Sequence, residues 1–139
     1  MRHRKLWLCL PALAMCALDV GITLGGHAAP YGIGDSPAPR EANPLAGRIL
    51  EFHPLAFVAA GVVWATAISG LVLALPRRWA MTVSVAVAQA HAFGAGTWVL
   101  ALLPYPLPLL TALFLTSAVL TIVAWERSGW DDKRAGTLT

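Results

Sequence analysis

The sequence is short of charge. Asp, Glu, Lys and Arg make up 12% of its 139 residues, about half the share of a typical soluble domain. Their placement says more than their number. No charged residue lies between Arg78 and Glu126, a gap of 47 residues, and none between Glu51 and Arg77, a gap of 25. A helix crosses the hydrocarbon core of a bilayer with about 20 apolar residues. The shorter gap therefore holds one crossing, and the longer gap holds two with a turn between them.

Other absences narrow the function classes. The two cysteines, Cys9 and Cys16, both sit inside the first apolar run. Neither is in a loop where a disulfide framework would form, so they read as small apolar side chains. There is no H-E-x-x-H and no paired C-x-x-C. Ser69, Ser84 and Ser117 stand in apolar runs without a neighbouring His. The reading therefore leans away from an enzyme, expects no cofactor, and leaves the question of a metal open. The net charge of +3 does not indicate nucleic-acid binding. The basic residues gather at the ends of apolar runs, where they set membrane orientation.

What is present is apolar, at 58% of the chain. The expectation is an all-α integral membrane four-helix bundle, one transmembrane domain over residues 1–139. Its spans are expected at about 6–26, 55–75, 80–103 and 109–125, with an outer loop at 27–54 and a polar tail at 126–139. Pro54 suits the first position of a helix, where a missing N–H costs least. Pro76-Arg77-Arg78-Trp79 turns the chain, and the alternate prolines of Pro104-Tyr105-Pro106-Leu107-Pro108 break it again. Trp7, Trp79, Tyr105 and Trp125 fall near span ends, as interfacial anchors do.

Arg2, Arg4, Lys5, Arg77, Arg78, Arg127, Lys133 and Arg134 fall on one side if there are four crossings. By the positive-inside rule both termini are then cytoplasmic, in the inner (plasma) membrane, with the lipid bilayer as the main partner. Within the outer loop, Asn43-Pro44 opens a short amphipathic segment, Leu45 to Phe52. Leu45, Ile49 and Phe52 share one face, and Arg48 and Glu51 another, which suits the membrane surface. Two rival readings concern the first run. It resembles a signal peptide with a small-x-small site at Gly26-His27-Ala28, but Asp19 and its length argue against that. Leu13-Ala14-Met15-Cys16 approaches a lipoprotein signal, but Met15 stands where a small residue is needed.

Ionisable groups at membrane depth are costly and call for a reason. Asp19 lies about 20 Å along its helix from Leu6, and His91 about 18 Å along its own from Trp79, at 1.5 Å per residue. The two spans run in the same direction, so the two residues fall at a similar depth, in the outer half of the bilayer. Thr23 and His27 follow Asp19 at i+4 and i+8 on roughly the same face. Glu41 and Asn43 lie in the outer loop, and His53 at the outer end of the second span. Carboxylates and imidazoles in one outward-opening cluster could relay protons or bind a divalent metal. The plainer reading is that Asp19 accepts hydrogen bonds from His91 or Thr23 and locks helix packing. Gly61, Ala65 and Ser69 form a small-residue face, and the third span carries the small residues Gly94-Ala95-Gly96. Such faces pack helices, within one chain or against other membrane proteins.

Asp19-x3-Thr23 followed by Glu41-Ala42-Asn43-Pro44-Leu45, with His53-Pro54-Leu55-Ala56-Phe57 after it, resembles a family of small bacterial membrane proteins. These are grouped as a domain of unknown function, with Asp-x3-Thr on the first helix and Glu-x-Asn-Pro-Leu before the second. The resemblance covers roughly Leu6 to Val99. Similar proteins often carry a Lys within the second helix, where this chain has uncharged Val62-Val63-Trp64. Asp19 then needs another partner, and His91 is the candidate. The resemblance implies the architecture and no particular activity. The leading expectation is a structural or accessory membrane subunit. The alternatives are a small ion- or proton-coupled transporter using Asp19 and His91, or a membrane-embedded enzyme or metal-binding protein.

Overall fold

The computed structural model describes residues 5–28 and 43–129. Of these residues 91% are helical, and no strand occurs among them. A 3-10 turn, Trp7–Cys9, leads into α1 (Leu10–Ala28). The others are α2 (Pro44–Phe52), α3 (Pro54–Ala74), α4 (Arg77–Leu102) and α5 (Leu107–Arg127). Four helical stretches, Trp7–His27, Pro54–Ala74, Arg77–Leu102 and Leu107–Arg127, are long and apolar enough to cross a membrane. A lipid bilayer is the environment they suit.

The helix starts follow from local chemistry. Asn43 caps α2: its Oδ1 accepts from the backbone N–H of Leu45 at 3.0 Å and of Ala46 at 3.3 Å, with Pro44 in the first turn. His53 caps α3 in the same way, its Nδ1 accepting from the N–H of Leu55 at 3.1 Å, with Pro54 following. Each cap satisfies donors that the first turn leaves unpaired. The expected surface segment is thus helical. Arg48 is exposed, and Ile49 is half-buried. Its buried residue is Leu50, whereas Leu45 and Phe52 lie open at 68% and 83%. Only His53 separates α2 from α3. That joint, rather than the apolar arc of α2, decides which side meets the bundle.

The largest interface joins α1 and α4. They run parallel in one register: Asp19 meets His91, and Gly26 meets Trp98, both at an offset of 72 residues. The reason is readable on α4. Ala80, Ser84, Ala88 and Ala92 recur every fourth position and are all buried, and Gly96 continues the series toward Leu110 of α5. Small side chains on one helical face let two backbones approach closely. Leu8, Cys9, Ala12, Ile68, Val72 and Met81 pack around Ala80 at one end. Met15, Ala95, Val99 and Leu113 pack around Ala88 and Ala92 further along. Gln89 on α4 donates to Ser117 Oγ on α5 at 3.1 Å.

At one end of the bundle the basic residues close the helix termini. Lys5 Nζ donates to the carbonyls of Leu73 and Leu75, at 2.6 and 2.7 Å. The Arg77 guanidinium donates to the Ser128 carbonyl, to Ser128 Oγ at 2.5 Å and to the Gly129 carbonyl at 3.2 Å. Carbonyls at a helix C-terminus lack intrahelical partners, and cations there complete them. Gly129, at φ 68°, takes the left-handed turn that ends α5. Arg127 stacks over the Trp7 ring, 5.5 Å from its centre, a cation–π contact. Both described ends of the chain therefore lie at the same end of the bundle.

Two substitutions test this packing, by unfolding in mixed detergent. A Cβ at Gly26 would fall 2.4 Å from the Trp98 ring, and Trp98 is itself only 3% exposed. Gly26→Ala should therefore cost about 1–3 kcal/mol, although alanine favours helix. Ser84 Oγ is fully buried and has no partner among the described residues. Ser84→Ala should hold stability or raise it by about 1 kcal/mol, because an unpaired hydroxyl leaves the core. Loss of stability in the Ser84 variant, or none in the Gly26 variant, would contradict this account.

Candidate intramembrane polar site

The shared register of α1 and α4 carries Asp19 to His91. The imidazole Nδ1 lies 2.7 Å from Asp19 Oδ2. On the other side of the ring, Trp64 Nε1–H of α3 donates to His91 Nε2 at 3.2 Å. An indole nitrogen can only donate, so His91 Nε2 must accept. The ring proton then sits on Nδ1 and is donated to the Asp19 carboxylate. The result is a directed chain, Trp64 to His91 to Asp19, that ties three helices together.

Gly94 completes the arrangement one turn beyond His91. A Cβ there would stand 3.1 Å from both carboxylate oxygens of Asp19. The glycine thus leaves the space that the carboxylate occupies. Thr97 Oγ1 donates to the Gly94 carbonyl at 2.7 Å, within the same turn.

The pair is not sealed in the core. Asp19 and His91 keep 19% and 18% of their side-chain surface open. They face a cleft of about 700 Å³ between α1, α2, α3 and α4. Thr23, Asn43 and Thr97 add polar atoms to its lining, and Ile49, Phe57, Trp64 and Phe93 supply apolar surface. Among the described residues no Lys or Arg lines it.

The residues singled out from sequence divide accordingly. Asp19, Thr23, Asn43 and His91 come together around the cleft, with Thr23 only 2% exposed. His27 is half-buried near the end of α1, outside that lining. His53 is exposed and serves as the cap of α3. Glu41 lies outside the described residues. Among the described residues no group of three or more His, Cys, Asp or Glu side chains could hold a metal ion. Trp64 and Gly94 are the members that sequence reasoning missed. A Trp in the middle of an apolar span, away from the interfaces, carries an N–H that needs an acceptor, and that was the available signal.

No family model, no curated protein and no solved structure matches the chain. The resemblance to the domain of unknown function therefore rests on its short motifs alone.

The geometry gives a coupled pair of tests. In a double-mutant cycle of Asp19→Ala and His91→Ala, unfolding in detergent should reveal a coupling energy of about 0.6–2 kcal/mol. Gly94→Ala should be neutral or destabilising in the native background. In an Asp19→Ala background it should instead stabilise, by up to about 1 kcal/mol, because only the helix preference remains. Strict additivity in both cycles would dismiss the contact.

Proposed function

We propose that this chain is a small multi-pass protein of the inner (plasma) membrane, with both termini in the cytoplasm. We propose further that Asp19 and His91 handle a proton or an ion at its centre, as in a small coupled carrier. One observation carries this reading: the carboxylate–imidazole pair stands on the wall of a cleft. A pair that must exchange protons or ions needs access. Carboxylate and imidazole are also the side chains best suited to a proton relay near neutral pH.

The orientation draws support from the cluster of Lys5, Arg77 and Arg127 around one end of the bundle. Under the positive-inside rule that end is cytoplasmic. The cleft then opens toward the outer half of the membrane.

A second reading, a structural or accessory subunit, is favoured by a different observation. Ala17, Gly21 and Gly25 of α1 lie four apart and are all exposed. A Cβ at Gly21 or Gly25 would meet nothing within 4 Å. Such a face suits close packing by another membrane helix. The two readings use different faces of α1 and are compatible.

Topology is tested with reporter fusions. Fusions after Arg78 and after Thr139 should read cytoplasmic, and fusions near Asp35 external; an external tail would contradict the arrangement. The site is tested in lipid nanodiscs by infrared spectroscopy. Stepping the pH should make the band of a protonated Asp19 carboxyl appear and disappear reversibly. Asp19→Asn should fold as the native chain does and lack the band. A carboxyl that never exchanges a proton while the protein stays folded would overturn proton handling and leave the packing role.

A further inference from the structure

We infer that the cleft beside Asp19 binds a monovalent organic cation with a hydrophobic body. The inference deepens the reading of Asp19 and His91 as an exchanging pair and rests on it. Four observations combine. The first is charge. Among the described residues Asp19 is the one carboxylate in the lining, and no Lys or Arg stands there to neutralise it. His91 stabilises Asp19 as a hydrogen-bond donor, but with its Nε2 accepting from Trp64 the ring carries no positive charge. With the ring neutral, the described lining holds one carboxylate and no fixed cation in mostly apolar surroundings, an arrangement that a bound cation would relieve.

The second is spare acceptor capacity. A carboxylate offers about four lone-pair positions, and among the described residues its hydrogen bond is the one with His91. The third is the wall. Phe57, Trp64 and Phe93 present aromatic surface to the same space, and the Trp64 ring is held in place by its bond to His91. Aromatic faces attract cations, most of all poorly hydrated ones. The fourth is size. A volume of about 700 Å³ falls within the roughly 300–1,000 Å³ of small-molecule sites.

The same features disfavour a hard divalent metal ion as the occupant. Hard divalent cations take about six to eight oxygen ligands. Here one carboxylate, two threonines and an asparagine are spread over a mostly apolar lining. An organic cation needs one counter-charge and buries its body against the rest. A tertiary or quaternary ammonium, or a phosphonium of similar shape, fits best. It has few donors to satisfy and a large apolar surface to bury.

The probe is tetraphenylphosphonium, with tetraphenylborate as the anion of nearly the same shape. Binding is measured to the protein in nanodiscs by equilibrium dialysis against empty nanodiscs, and by quenching of Trp64 emission, identified with Trp64→Phe. The phosphonium should bind saturably, one per chain, and the borate should show no saturable binding. Asp19→Asn should weaken the phosphonium by at least about tenfold. Phe93, 70% exposed, supplies a variant with little risk to the fold. Phe93→Ala should weaken binding several-fold. Saturable binding of both ions, or of the phosphonium equally to the native and Asp19→Asn proteins, would overturn the cation site. So would no saturable binding while the Asp19 carboxyl still exchanges its proton, a result that keeps the proton-handling reading. Loss of both binding and proton exchange would overturn the two together.

Discussion

The parallel packing of α1 on α4 is the constraint from which the rest follows. Small buried residues recur every fourth position of α4 from Ala80 to Ala92, and Gly94 leaves room for Asp19 of α1, while Gly96 turns toward Leu110 of α5. Close approach of two backbones fixes their register, and the register brings Asp19 to His91 and Gly26 to Trp98. In a membrane there is little hydrophobic force between helices, so such close contact and the hydrogen bonds it permits hold the bundle together. The α3 helix joins this pair through Trp64, and α5 joins it through Ser117.

Polar groups inside the bundle are few, and they are used in two ways. Gln89 with Ser117 makes a plain interhelical bond. Asp19, His91 and Trp64 make a directed chain that ends in a carboxylate beside a cleft. The difference is exposure: the Asp19–His91 pair keeps part of its surface open to that cleft. Helix α2 belongs to the same construction, since Asn43 caps it and also lines the cleft. A motif that reads in sequence as a helix start thus also shapes the site.

Much of this was legible in the sequence, for identifiable reasons. Uncharged runs of spanning length mark the four long helices, and prolines at 54, 76 and 104 punctuate them. Asp19 and His91 stand out because charge at membrane depth is rare, and counting 1.5 Å per residue gives them similar depth. Their contact was not legible, because depth says nothing about which helices are neighbours. The Ala80–Ala92 face was harder to read, because alanine is common in apolar helices and marks an interface only by its spacing. The role of Gly94 was hidden by its place beside Gly96: both are small, but one makes room for Leu110 and the other for a carboxylate. His53 shows the opposite case, a titratable residue near the site that the local backbone uses as a cap.

The central claim is that Trp64, His91 and Asp19 form one directed hydrogen-bonded chain across three helices. The most direct measurement is nitrogen NMR of histidine-labelled protein in nanodiscs, with the His91 signals assigned by His91→Gln. The account predicts a ring protonated at Nδ1, an Nε2 shifted by a hydrogen bond it accepts, and a Trp64 indole signal that moves when His91 is replaced. A ring protonated at Nε2, with a Trp64 indole indifferent to His91, would contradict it.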